Sequence, residues 1–231
     1  MKVEIWSDIV CPFCYVGKKH LELALEQLPF KNEVEVIWRS YMLDPSLPVE
    51  GLNKTKKAYL VEDKGYSLEQ VEGMMKHLEA AGKEIGIDFN HDDLVPVNTL
   101  QAHRLTHFAQ ERGKGNEMEE ALFYAHFTAA ENVGDKEVLT RLATSIGLEK
   151  TEVETLLETN QELEAVQADI EVAKNLGISG VPFFVLDQKY GVSGAQPVEV
   201  FVEALTQAYD EKVELLKTDN TANSCGIDGC D

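Results

Sequence analysis

At 231 residues, with 44% hydrophobic and 27% charged side chains, the chain has enough apolar material to bury a core, which excludes a disordered polypeptide. Its 41 acidic and 21 basic side chains leave a formal net charge of −20, so repulsion from a phosphate backbone excludes nucleic acid as a partner, and the acid reads as a solvated surface. No apolar run approaches the ~20 residues that cross a bilayer, and residues 1–10 alternate like a strand where a secretory signal would be continuously apolar, so the expectation is a cytoplasmic product with no membrane partner.

The length suits one domain with a sizeable insertion. Val3, Ile5 and Trp6 mark a first strand, Ser7 to Cys11 a turn, and Tyr15, Leu21, Leu25 and Leu28 a helix closed by Pro29. Val34 to Trp38 alternate again, and two strands joined through a helix of that length form a parallel, right-handed βαβ unit. From about Leu47 to Gly177 the spacing is helical almost throughout, with Ser67 and Asp135 as helix caps. The last helix of this stretch runs from Leu163 to Leu176 and stops at Gly177. Phe183 to Leu186 and Tyr190 to Val192 read as a hairpin. Pro197 then opens a final helix with Val200, Phe201, Ala204, Leu205 and Ala208 as its buried stripe.

This βαβ, helical insert, ββα order describes an α/β protein with a thioredoxin-like fold and a large inserted all-helical domain. The expected division is residues 1–46 and 178–217 for the two parts of the thioredoxin-like domain, 47–177 for the insert, and 218–231 for a flexible C-terminal tail.

The four cysteines form two close pairs, Cys11 with Cys14 and Cys225 with Cys230, a usage that points to redox chemistry or metal and away from a secreted disulfide scaffold. Zinc half-sites of the CxxC spacing sit on knuckle turns near a second pair, whereas Cys11-Pro12-Phe13-Cys14 follows a strand and opens a helix, the setting of a dithiol catalyst. There the free N–H groups and the positive dipole end of the helix stabilise a Cys11 thiolate as nucleophile, and Cys14, one turn inward, resolves the mixed disulfide. Pro12 suits the first helical position because it has no N–H to leave unpaired. Asp8 reads as an exposed turn residue or cap in preference to a proton acceptor for Cys14. A second element, Val181-Pro182 ahead of a strand, reads either as a simple strand boundary or as a cis peptide facing the cysteine turn.

The stretches SDIVCPFCYVGKK, NTLQAHRL, GISGVPFFV and YGVSGAQP together resemble the DsbA-family oxidoreductases of the FrnE-like branch, over about residues 3–209. The resemblance implies Cys11 and Cys14 as the redox pair, Pro12 and Phe13 as its loop, and Pro182 as a cis proline preceded by Val181. The chain departs from the periplasmic oxidase DsbA at Phe13, where that protein has a histidine that stabilises the reduced thiolate. Reduction or isomerisation of disulfides is therefore as consistent with this turn as oxidation. The implied partners are protein or small-molecule disulfides and thiols, with glutathione or a thioredoxin-type reductant as electron donor, and no cofactor or metal is called for. Relatives on the same scaffold include glutathione-dependent isomerases and transferases, which form one alternative; a zinc-binding module using all four cysteines is the other.

Cys225 and Cys230, four residues apart with two glycines between, have three open readings: an accessory redox pair, a thiolate metal clip or an inert tail. His103, His107 and Glu111 have helical metal-binding spacing, but nothing completes the set and surface or core histidines are expected. Met74, Met75, Phe123, Tyr124 and Phe127 read as core of the insert, or in part as lining of a groove beside the cysteines.

Overall fold

A computed structural model describes residues 1–222, so Cys225 and Cys230 lie outside the described residues. Strand β1 (Lys2–Ser7) leads into α1 (Pro12–Glu26) and returns as β2 (Glu35–Ser40), parallel to β1 in the register Val3 to Val36 and Ile5 to Trp38. Seven helices follow: α2 (Lys56–Glu62), α3 (Leu68–Glu84), α4 (Leu100–Gln110), α5 (Gly115–Phe127), α6 (Lys136–Ser145), α7 (Lys150–Glu158) and α8 (Leu163–Asn175). The chain closes with β3 (Phe183–Leu186), β4 (Tyr190–Ser193) and α9 (Val198–Ala222). The four strands lie in the order β2-β1-β3-β4, with β3 antiparallel to both β1 and β4. This is the thioredoxin-like βαβ and ββα arrangement with helices inserted between its halves.

Alternation along β1 sends its side chains to two different layers. Val3 and Ile5, beside Phe184 and Leu186 of β3, pack with Leu21 of α1 and with Phe201 and Leu205 of α9. Trp6 points the other way, onto Ala173 of α8 and Ile178. The helix ends follow local chemistry. Ser67 and Gln70 form a reciprocal capping box on α3, and the Asp135 carboxylate accepts from the N–H groups of Glu137 and Val138 on α6. Gly177, at φ 72°, ends α8 in a Schellman turn: its own N–H reaches the Lys174 carbonyl and that of Ile178 the Ala173 carbonyl.

Three expectations need correction. Val200 is 38% exposed, because Phe201, Leu205 and Ala208 define the buried face of α9 and Val200 falls beside it. The final helix does not yield to tail at Lys217 but continues to Ala222, since no Gly or Pro interrupts the chain between Pro197 and Gly226. Tyr124 is exposed, while Phe123 and Phe127 join the core under the sheet: Tyr15 of α1 stacks on Phe123 at 5.0 Å, with Phe127 alongside. The inserted helices and the sheet therefore share a core; in the other direction, Ile9 and Val10 of the cysteine turn pack among helices α4 to α7.

Two irregular stretches, 41–55 and 85–99, interrupt the helices and run side by side. Leu52 N–H donates to Pro96 O, Lys56 N–H to Leu94 O and Asn98 N–H to Pro48 O, and the Asn98 amide also binds the carbonyls of Pro45 and Leu47. Together they wall one side of the cysteine turn.

Candidate active site

Cys11 is the N-cap of α1, in extended conformation, with Pro12 next in the first turn. The turn is tied by Cys11 N–H to Asp8 O and by Cys14 N–H to Cys11 O, at 2.9 and 3.0 Å. Both cysteines are free thiols. Cys14 is 1% exposed and Cys11 5%, with Phe13 standing out into solvent between them.

The two thiols are pushed in opposite directions. The Cys11 thiol lies below its ordinary value because the Cys14 thiol donates to its thiolate; burial opposes this, the N–H groups of Cys14 and Phe13 assist, and the Asp8 charge opposes. The Cys14 thiol is raised well above its ordinary value, first by burial and then by its bond to, and repulsion from, the Cys11 sulfur. One sulfur is thus prepared to ionise while its neighbour holds the proton. Alkylation of Cys11 by iodoacetamide is accordingly expected to have a pH midpoint below that of a cysteine in the urea-unfolded chain. The depressed thiol contributes stability to the reduced fold above the unfolded midpoint and loses it as pH falls through its own, so equal midpoints would show that the turn does not activate Cys11.

Asp8 is not the exposed residue its turn position suggests. It is 1% exposed, with its carboxylate accepting from Leu43 N–H at 2.7 Å and lying 3.6 Å from His103 Nε2. Burial pushes its carboxyl up, but the bond and charge of His103, with the Leu43 N–H and the Thr99 hydroxyl, outweigh burial and hold it below the usual carboxylate range. His103 and His107 are buried, in keeping with the core reading. His103 Nε2 reaches Tyr41 O, and His107 Nε2 lies 3.0 Å from both Ser40 Oγ and Asp169 Oδ2. Asp169 of α8, which the sequence reading missed, joins α4, α8 and β2.

The Val181–Pro182 peptide bond is cis, and the Val181 carbonyl lies 3.5 Å from Cys11 Sγ, so the two loops meet as anticipated. Gly17 permits the approach: a Cβ there would come within 3.0 Å of Pro182 Cγ and 3.1 Å of Phe184 Cζ. On the other side Cys11 opens onto a cavity of about 190 Å³ whose walls include Phe13, Met74, Met75 and Phe127. Met74 and Met75 therefore line the groove, and Met74 also packs against the core. Lys56, His91 and His126 also line it and were not assigned to the site from sequence, where only cavity geometry could connect them to Cys11.

Residues 2–206 match the DsbA-like thioredoxin domain model. The chain belongs to this DsbA-like family. A probable DsbA oxidoreductase from Streptomyces coelicolor is 41% identical, with a TM-score of 0.85 over 91% of each chain. The uncharacterized protein YwbO of Bacillus subtilis (strain 168) is 28% identical over 214 residues, covering 91% of this chain and 98% of YwbO. The cytosolic disulfide reductase DsbM of Pseudomonas aeruginosa, solved also with GSH, shares the fold at 15% identity and a TM-score of 0.63, over 94% of this chain and all of DsbM. No described helix of this DsbA-family chain is long and apolar enough to cross a membrane.

Proposed function

We propose that this DsbA-family protein is a cytosolic dithiol–disulfide oxidoreductase of the FrnE-like branch, acting on protein or small-molecule disulfides through Cys11 and Cys14. The opposite displacement of the two thiols, in a turn that faces the Val181–Pro182 loop, carries this reading. The Cys11 thiolate attacks one sulfur of a substrate disulfide; the substrate S–S bond breaks and the first thiol leaves with a proton from solvent. Cys14 then gives up its proton and attacks the Cys11 sulfur. The second substrate thiol departs, and the two electrons gained by the substrate are balanced by the new Cys11–Cys14 disulfide. Glutathione or a thioredoxin-type reductant returns the pair to thiols when the cycle runs as reduction; the same steps reversed oxidise a client dithiol. The Phe13 side chain adds no hydrogen-bond donor to the Cys11 thiolate beyond the backbone N–H, which leaves both directions open to the partner's potential. The backbone of exposed Gly180 and half-buried Val181, just ahead of Pro182, is suited to pair with an extended client segment. Cys225 and Cys230, outside the described residues, enter this reading as an accessory pair exchanging with Cys11–Cys14.

The decisive test is Cys14→Ser. With its resolving thiol removed, the variant is expected to accumulate client molecules covalently attached to Cys11, seen as adducts in non-reducing gels and released by dithiothreitol. No adduct from a cell lysate or from a model peptide disulfide would reject the mechanism.

A further inference from the structure

The cavity beside Cys11 is unusual in what its polar atoms lack. His126 is 2% exposed, and neither ring nitrogen has a hydrogen-bond partner; His91, 8% exposed, has an unpartnered Nε2. Buried imidazole nitrogens left without partners are costly unless something occupies the space before them. Lys56, on the first turn of α2, lines the same cavity. The lysines around it are paired, Lys54 with Glu62 and Asp63 and Lys57 with Glu72, but Lys56 makes no ion pair among the described residues. Its Nζ lies 5.4 Å from the centroid of the Tyr59 ring. Lys56, which burial holds below its ordinary value while the charges of Asp8 and Cys11 favour its ammonium form, thus shares with neutral imidazoles a chamber otherwise walled by Met74, Met75 and other apolar groups. Burial holds the His126 imidazole down to about 3, with the Lys56 charge adding to the effect, so at neutral pH it is uncharged and able both to donate and to accept.

Resting on the oxidoreductase reading above, we propose that this cavity selects small disulfides whose sulfur-bearing arm ends in a carboxylate, with Lys56 pairing the carboxylate and His126 and His91 hydrogen-bonding the arm. The size supports a small substrate: about 190 Å³ is below the roughly 300–1,000 Å³ of pockets that enclose drug-sized ligands, and matches a short arm better than a peptide segment. The apolar walls exclude water from the arm's methylene groups and strengthen a charge-assisted contact at their end. The electron balance is unchanged: Cys11 attacks the disulfide sulfur, the acidic thiol leaves, and Cys14 closes on Cys11 as the second acidic thiol is released.

The test is a single turnover of the fully reduced, full-length protein with 3,3′-dithiodipropionate and, separately, with its diamide, counting the thiol released after an acid quench. Lys56→Met slows both substrates to the extent that its charge supports the Cys11 thiolate, and is expected in addition to lower the ratio of the diacid rate to the diamide rate by about ten- to a hundredfold, the worth of one charge-assisted contact, with Lys56→Arg restoring most of that ratio. An equal fall for both substrates would overturn the proposal. A second measurement needs no variant: propionate should protect Cys11 of the wild-type protein from neutral iodoacetamide more strongly than propionamide does, and equal protection would also overturn it. If neither disulfide reacts while Cys14→Ser still captures clients, the cavity assignment fails alone; if Cys14→Ser captures nothing as well, the oxidoreductase reading fails with it.

Discussion

Replacing Cys11 by serine is expected to reduce thiol–disulfide exchange at pH 7 by at least about a hundredfold, because Cys14 cannot take over. A thiol with an ordinary value near 9 is only about 1% ionised at neutral pH, and the Cys14 thiol is displaced well above that by burial and by the neighbouring sulfur. Removing Cys11 also removes that neighbour, which relieves part of the displacement but leaves Cys14 at 1% exposure, where a substrate disulfide cannot reach along the S–S axis. A serine hydroxyl at position 11 is no substitute, since it does not ionise in this range. Insulin reduction with dithiothreitol and single-turnover release from a model disulfide both measure the loss. Turnover within tenfold of wild type would mean that Cys14, or a thiol elsewhere in the chain, is the attacking group, and the assignment of nucleophile and resolving thiol would have to be reversed or abandoned.

The largest effect on stability should come from Asp169→Ala. The carboxylate is nearly buried and serves three donors at once: Arg39 on Oδ1 at 3.0 Å, and Ser40 N–H and His107 Nε2 on Oδ2 at 2.9 and 3.0 Å. Its backbone carbonyl accepts from Trp6 Nε1 at 3.0 Å, a contact the substitution leaves intact. Removing one member of such a cluster leaves the others buried without a partner, which costs about 3 kcal/mol or more. Arg39 is one-third exposed and can turn to solvent or lean on Glu4, so the loss falls mainly on the Ser40 amide and His107. For a chain of this size the melting temperature should fall by about 10 °C. Asp169→Asn keeps an oxygen for the Ser40 N–H and should cost roughly half as much. Thermal unfolding followed by circular dichroism decides it; a shift of under about 2 °C for the alanine variant would show that the cluster does not hold α8 against β2.

The parts of this architecture that could be read along the chain are those whose physics is local. Cys11 precedes a proline that can stand only at a helix start, Ser67 and Asp135 carry the oxygens a first helical turn requires, and Gly177 adopts the left-handed backbone that closes α8. Where a side chain's fate depends on a distant partner, local reading misled. Asp8 looked like an exposed turn residue because its neighbours are turn-like; its burial comes from Leu43 and His103, far along the chain. Phe123 and Tyr124 are adjacent and both aromatic, yet one is fully buried against Tyr15 and the other exposed, a choice made by which face of α5 the α1 helix covers.

The linear order of residues was enough for the βαβ unit, the hairpin and the cysteine turn, since periodicity, helix capping and the needs of a dithiol act over a few neighbouring positions. Folding in three dimensions was required to set the Val181 carbonyl beside the Cys11 sulfur, to bury Asp8 against His103, and to bring Lys56, His91 and His126 around one cavity. Those groups come from stretches that share no repeat or motif, and they meet because the 85–99 stretch is tied to α2 by Lys56 N–H to Leu94 O and to the end of α5 by Asn90 N–H to Phe127 O.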